Sequence, residues 1–304
     1  MGAARSAVGP RRMNPVGLIS MSYARPFTAA QFPLFPRMRA AGLDFVEMLV
    51  PEPGEVAIGE LRAAIEGAGL AVALAARMNP ARDPTSDDAA SRKAGREYLK
   101  RCTDVAVALG ARIVGGPIYG APLVFAGRAP QPVNEAKRTA RVGWAAEALA
   151  EAGAYAASQD VVLAIEPLNR FETDMVNTAR QAVELVGLAR VPGLGVMLDT
   201  FHMNMEEGDM ADAIRICGKH LVHFQASENH RGFLGTGHVD WATVCHGLAQ
   251  IHYRGPITLE PFRREDERIG VPLAQWRPPA RNEDADIAKS VRLLRKYLAA
   301  AGRA

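Results

Sequence analysis

Several protein classes are excluded by what this chain lacks. It has only three cysteines in 304 residues, Cys102, Cys217 and Cys245. They are widely spaced, odd in number and without metal-type spacing, which argues for reduced thiols used in packing in a cytosolic setting. No apolar run approaches the length of a membrane span. The 36 Lys and Arg residues are scattered among 33 Asp and Glu, for a net charge of +3, so there is no basic stripe of the kind a nucleic-acid binder needs. The first strand is not followed by the glycine fingerprint of a dinucleotide site. The opening MGAARSAVGPRR is basic but has no signal-peptide core behind it. Residues 1–12 therefore read as a mobile tail ahead of one domain over 13–304, and the expected location is cytoplasmic.

What is present is a hydrophobic fraction of 48% and a charged fraction of 23%, those of a globular protein, arranged in a repeating pattern. Short apolar runs at 16–21, 45–50, 72–77, 112–116, 161–166, 195–199, 221–226 and 256–260 read as strands. Amphipathic stretches at 28–41 (interrupted by prolines), 56–67, 87–109, 133–158, 178–188, 210–218, 241–251 and 284–300 read as the helices between and after them. Asn177 or Thr178 is the expected N-cap of the fifth. Strict alternation implies a parallel sheet with helical crossovers, and eight units predict a single closed (β/α)8 TIM barrel. The alternative, an open doubly wound sheet, usually has fewer units.

The strand ends carry the functional signal. The run VVLAI at 161–165 leads straight into Glu166, and Glu172 follows after Pro167, Asn169 and Arg170. A carboxylate closing a buried strand needs compensation, because an unpaired buried charge is costly. A salt bridge would suffice for one such strand, but the feature recurs. Strand six ends in Asp199, strand eight in Glu260, and strand seven aims His223 and Gln225 at the same face. The steps from Glu166 to Asp199, Gln225 and Glu260 are 33, 26 and 35 residues, one βα unit each. In a barrel these ends converge on one face. Carboxylates converging there would repel one another without a cation between them, and a hard divalent ion such as Mn²⁺, Mg²⁺ or Co²⁺ suits the donors. Glu172, His202 and Arg231 sit in the loops after these strands, where substrate-positioning groups would lie. His202 could equally cap a helix, and Arg231 could be a solvated charge.

At EPLNRFE (166–172), MLDTFHMNMEE (197–207), HFQASENHRGFLGTGHVDW (223–241) and LEPF (259–262) the sequence resembles the ketose 3-epimerase family of the xylose-isomerase-like barrels. The first half resembles it more loosely, in the opening strand and in GGPIYG (115–120). The resemblance implies one Mn²⁺- or Co²⁺-type ion held by Glu166, Asp199, Gln225 and Glu260, and no organic cofactor. It implies that Glu166 and Glu260 are also the catalytic acid/base pair, and that Glu172, His202 and Arg231 bind the C1–C3 end of a free ketose. A homodimer or homotetramer is expected, with no nucleic-acid or membrane partner. There is one departure: the family usually reads HFH where this chain reads HFQ, so Gln225 stands in for a histidine ligand. His223 is then expected one layer deeper, unless it reaches the ion itself.

The implied reaction inverts C3 of a ketose through a metal-stabilised cis-enediolate, with two glutamates on opposite faces exchanging the proton. Related barrels offer rival activities: aldose–ketose or hydroxypyruvate isomerisation, and inosose dehydration. A DNA-repair endonuclease would need more histidine ligands and a basic groove, and a non-catalytic sugar-binding barrel would not need both glutamates. Phosphorylated substrates are disfavoured, although Gly235 and Gly237 could form a phosphate loop after strand seven. Tyr23, Met78, Tyr119 and Phe233 are candidates for the far end of the pocket. The segment 263–283, with Trp276, reads as a cover over the barrel mouth or as an interface.

Overall fold

The structure, a computed structural model, describes residues 13–123, 132, 134–262, 271, 275–276 and 283–303. The expected tail at 1–12 lies outside the described residues, as does nearly all of the segment 263–283.

Eight parallel strands close into a barrel in chain order. They are β1 (Val16–Ile19), β2 (Phe45–Leu49), β3 (Ala71–Ala75), β4 (Ile113–Gly116), β5 (Val162–Ile165), β6 (Leu194–Asp199), β7 (Leu221–Ala226) and β8 (Ile257–Leu259). Closure is made by β1 against β8, with Val16 opposite Ile257. The described helices are α1 (Leu34–Ala40), α2 (Ile58–Gly67), α3 (Ala89–Leu109), α4 (Glu135–Ser158), α5 (Ala179–Ala189), α6 (Thr200–Glu206), α7 (Met210–Cys217), α8 (Trp241–Gln250) and α9 (Glu283–Ala301). None is long and apolar enough to cross a membrane. The expected alternation is present, with ends shifted by a few residues.

Local chemistry explains where the elements begin and end. Thr178, the second of the two expected caps, starts α5 with a full capping box to Gln181. Gly110 closes α3 in the left-handed region at φ 76°, where a side chain would be strained. The expected helix at 28–41 is divided into a 3-10 turn at Ala29–Gln31 and α1, with Pro33 at the boundary. A proline supplies no N–H to continue the ladder, which breaks the helix there. One helix had no counterpart in the sequence reading. The stretch TFHMNME forms α6 directly on the end of β6, because the Asp199 side chain accepts from the Phe201 N–H and caps it.

The barrel interior is filled by side chains with bulk paired against absence. Gly17 leaves space for the Phe45 ring, and Gly115 for the Met197 sulfur, so a Cβ at either position would collide. The packed lower barrel carries the polar upper layer, and the three cysteines, all free and buried, belong to the apolar packing as expected. Burial pushes each of these thiols up to about 12, so they are inert at neutral pH.

Candidate active site

The strand ends of β5–β8 bring the expected residues together. Glu166 follows β5, Asp199 ends β6, Gln225 is the penultimate residue of β7, and Glu260 follows β8. All four are buried and, apart from Asp199, line one cavity of about 370 Å³. Glu166, Asp199 and His202 each offer a ligand atom, and these atoms lie within 4.8 Å of one another. Glu260 is joined to them through Arg231, whose Nη1 donates to Asp199 Oδ2 and, at 2.7 Å, to Glu260 Oε2.

Arg231 is not a solvated charge. It is 3% exposed, its backbone is left-handed at φ 60°, and its guanidinium lies between the rings of Phe201 (4.1 Å) and Phe262 (4.6 Å). A flat, delocalised cation is suited to stacking between two rings, which a lysine ammonium would not reproduce. The backbone strain is held by the Arg231 N–H on the Glu228 carbonyl (2.9 Å) and by the Phe262 N–H on the Arg231 carbonyl (2.9 Å).

His202 is fixed by a residue the sequence reading passed over. Its Nδ1 accepts from the Asn169 backbone N–H at 3.0 Å. Its Nε2 lies 2.9 Å from Arg231 Nη2, which can only donate, and 3.5 Å and 3.6 Å from Glu166 Oε1 and Asp199 Oδ2. Burial and the charge of Arg231 push the His202 pKa down to about 3, so the ring stays neutral. Donors face both ring nitrogens, and the ring is held between Asn169 and Arg231. The Asn169 side chain also donates to Glu172 Oε1 at 2.9 Å, tying Glu172 to the same unit.

The carboxylates differ in character. Burial pushes Glu166 and Glu260 well above the usual carboxylate range, the charge on Asp199 adds to this, and Arg231 opposes it. Burial also works against ionised Asp199. There the Arg231 charge, with the Phe201 N–H, outweighs it and holds the carboxyl below its usual value. Glu172 is raised, by burial above all, against the pull of Arg231 and Asn169.

Beneath Gln225 lies a buried network anchored in the opposite half of the barrel. Glu47 on β2 receives Gln225 Nε2 on Oε1 at 3.1 Å, and its Oε2 is 2.9 Å from His223 Nε2. His223 is fully buried and sits in this lower layer, where Thr258 Oγ1 is 3.2 Å from the same nitrogen. Because a carboxylate can only accept, the Gln225 amide must present Nε2 to it. Gln225 Oε1 is left buried with no hydrogen-bond partner among the described residues. An orphaned amide oxygen beside three carboxylates fits the donor set of a hard divalent cation. Glu47 was visible in the sequence only as a charge inside a strand.

The glycines after β7 have another use than a phosphate loop. Glu228, fully buried, accepts from the Gly235 N–H (2.7 Å), the Val239 N–H (3.1 Å) and Trp241 Nε1 (2.8 Å). A carboxylate of the chain itself thus occupies the donors that an anion would need. Of the four apolar candidates for the pocket wall, Met78 lines the cavity, whereas Tyr23, Tyr119 and Phe233 do not. Tyr119 is instead buried, with its hydroxyl on the Val176 carbonyl at 3.2 Å.

Comparison with known proteins agrees with this geometry. Residues 35–297 match the family described as xylose isomerase-like TIM barrel. An L-ribulose 3-epimerase from Methylomonas sp. (strain DH-1) is 33% identical over 84% of this chain and 87% of its own. A ketose 3-epimerase from Arthrobacter globiformis is 36% identical over 74% of this chain and 75% of its own. The crystal structure of a D-allulose 3-epimerase from Methylomonas sp. in complex with D-allulose superposes with a TM-score of 0.85 at 30% identity, covering 94% of this chain and 97% of that one. In fold and in sequence, the chain belongs to the ketose 3-epimerases of the xylose isomerase-like TIM barrel family.

Proposed function

We propose that this protein is a metal-dependent ketose 3-epimerase, acting on pairs of the D-fructose/D-allulose, D-tagatose/D-sorbose or L-ribulose/L-xylulose type. The observation that carries the reading is the clustering of Glu166 with Asp199, to which Arg231 joins Glu260, in a cavity wall that also holds Gln225, whose Oε1 has no partner among the described residues. Three carboxylates against one guanidinium leave two negative charges, which a divalent ion matches. Glu166, Asp199, Gln225 and Glu260 would hold it. Oxygen-only donors favour Mn²⁺, with Mg²⁺ or Co²⁺ as alternatives. When bound, the ion supplies Lewis-acid polarisation of the ketol oxygens.

The chain's own residues account for the rest. Epimerisation removes the C3 proton and returns one on the opposite face, so it needs two proton-exchanging groups on opposite sides of the carbon. Glu166 and Glu260 come from β5 and β8, and both hold a proton more readily than an exposed glutamate does. One removes the proton and the other returns it, with roles exchanged in the reverse direction. Loss of that proton places negative charge on O2 as the enediolate forms. His202, neutral and held between Asn169 and Arg231, would support that charge without neutralising the base beside it. Arg231 and Glu172 bind the hydroxyls at the same end, held by Phe201, Phe262 and Asn169. A homodimer or homotetramer in the cytoplasm completes the reading, supported by the resemblance and by three reduced thiols.

Incubation of the purified protein with Mn²⁺ and D-fructose should yield D-allulose, detected by ion-exchange chromatography. Formation of an aldose, or no conversion of any of the named ketoses, would contradict the proposal.

A further inference from the structure

One buried polar side chain beside the carboxylates has no part in the reaction so far. Ser227 comes directly after β7, two residues beyond Gln225, the spacing that keeps side chains on one face of a strand. It is fully buried, and its hydroxyl donates to Asp199 Oδ1 at 3.1 Å. Its backbone is clasped by Thr200, the first residue of α6, which is fully buried as well. The Ser227 N–H donates to Thr200 Oγ1 at 2.9 Å, and that hydroxyl donates to the Ser227 carbonyl at 2.6 Å. The ends of β6 and β7 are therefore joined where Asp199 leaves its strand.

The two oxygens of Asp199 are unlike. Oδ1 accepts from the Phe201 N–H at 2.9 Å and from the Ser227 hydroxyl, one donor on α6 and the other beyond β7. Oδ2 accepts from Arg231 and lies 3.6 Å from His202 Nε2, on the side of the substrate-binding residues. Capping α6 needs only the Phe201 bond. The last torsion of an aspartate has broad wells, so a single bond to Oδ1 leaves the carboxylate plane free to turn. The second bond, from a separate strand, fixes it. An alanine at 227 would keep the Cβ packing and lose only that bond, so the hydroxyl is the working part of the side chain.

We propose that Ser227 is a positioning residue for the divalent ion: by holding Oδ1 out of the site, it commits Asp199 to ligation through Oδ2 alone. Carboxylates that bind a metal are commonly hydrogen-bonded in turn, and such supporting partners tune affinity strongly. The demand is high here because one of the four ligands, Gln225, is a neutral amide, so the carboxylates carry the electrostatic attraction. The inference rests on the metal-dependent reading of the site and adds to it a residue outside the ligand set.

The test titrates chelator-treated wild type, Ser227→Ala and Ser227→Thr with Mn²⁺ by calorimetry and follows urea unfolding of the same samples without Mn²⁺. Ser227→Ala should bind Mn²⁺ about 10–100-fold more weakly. Ser227→Thr keeps the hydroxyl and should recover most of that loss. If Ser227→Thr is too bulky to fold, Ser227→Ala decides alone. D-fructose turnover by Ser227→Ala should recover as Mn²⁺ is raised, because occupancy is lost and no reacting group is. Wild-type Mn²⁺ affinity in Ser227→Ala, with or without lowered stability in urea, would make the serine merely structural and overturn the inference while the metal site stands. Turnover that stays low at saturating Mn²⁺ would also overturn it. A wild type that binds no divalent ion would overturn the metal-dependent reading itself, and this inference with it.

Discussion

At the ends of β5, β6 and β8 three carboxylates share one guanidinium, whereas across the cavity an arginine wall on the loops after β2 and β3 pairs Arg77 with Glu55 and Arg82 with Glu52. The first group is set by strand register. Each member is carried on a strand of a closed barrel, so its position follows from the barrel's geometry. The second is carried on loops and on the 3-10 turn Pro80–Arg82, held by ion pairs and by stacking on Tyr98. Chemistry placed on strands stays fixed while loops vary around it, which is how one barrel type serves many substrates.

The largest effect should come from removing one charge from the carboxylate wall. Glu166→Gln or Glu260→Gln should lower kcat by on the order of 10²–10⁴ for every ketose tested, the usual contribution of a positioned acid or base. Ketose binding by calorimetry should remain measurable. Near-normal turnover by either variant would remove the acid/base assignment.

Glu228→Ala comes next, because it strips the acceptor from three donors under the loop that holds Arg231. A loss of about 3 kcal/mol in urea unfolding is expected from orphaning such buried groups. A loss below about 1 kcal/mol would mean that water replaces the carboxylate there.

Glu47 crosses the division, since it belongs to β2 but orients a residue of β7. Glu47→Gln should weaken Mn²⁺ binding by about 10–100-fold in titration calorimetry, the usual cost of losing a ligand's supporting partner. Gln225→Ala should weaken it as well, and Gln225→His should retain it. Unchanged affinity in Gln225→Ala would exclude Gln225 as a ligand.

The smallest effect belongs to the arginine wall's own stability. Burial disfavours ionised Glu52, but Arg82, Arg77 and Arg101 outweigh it and hold the carboxyl below its usual value. A carboxyl lowered by folding stabilises above its unfolded value near 4.5, and the gain is lost as pH falls through the lower folded value. Glu52→Gln should therefore lower Tm by only a degree or two at pH 7 and flatten its fall below about pH 4.5. An identical acid profile in the variant would show that these pairs do not contribute.

Much of the carboxylate wall was legible in the sequence, and little of the arginine wall was. Short apolar runs alternating with helical patterns locate the eight strands, and a carboxylate at equivalent ends of three of them needs no structure to be noticed. His202 and Arg231 followed from short offsets and from the family motif. Glu47 did not, because its contact with His223 spans 176 residues and nothing local marks it. The orientation of the Gln225 amide depends on that contact, so it was equally hidden. α6 was missed because its start is a side-chain cap from Asp199, which the sequence reading had reserved for chemistry. Tyr23, Tyr119 and Phe233 were misplaced because loop paths decide which residues reach the pocket, and loop paths have no periodicity.

The central claim, that Glu166 and Glu260 exchange the C3 proton, is tested most directly by incubating the Mn²⁺-loaded protein with D-fructose in D₂O and reading the recovered sugars by NMR. The account predicts deuterium at C3 of both D-allulose and recovered D-fructose, with none at C1. Deuterium at C1 with an aldose product, or no exchange at C3, would contradict it.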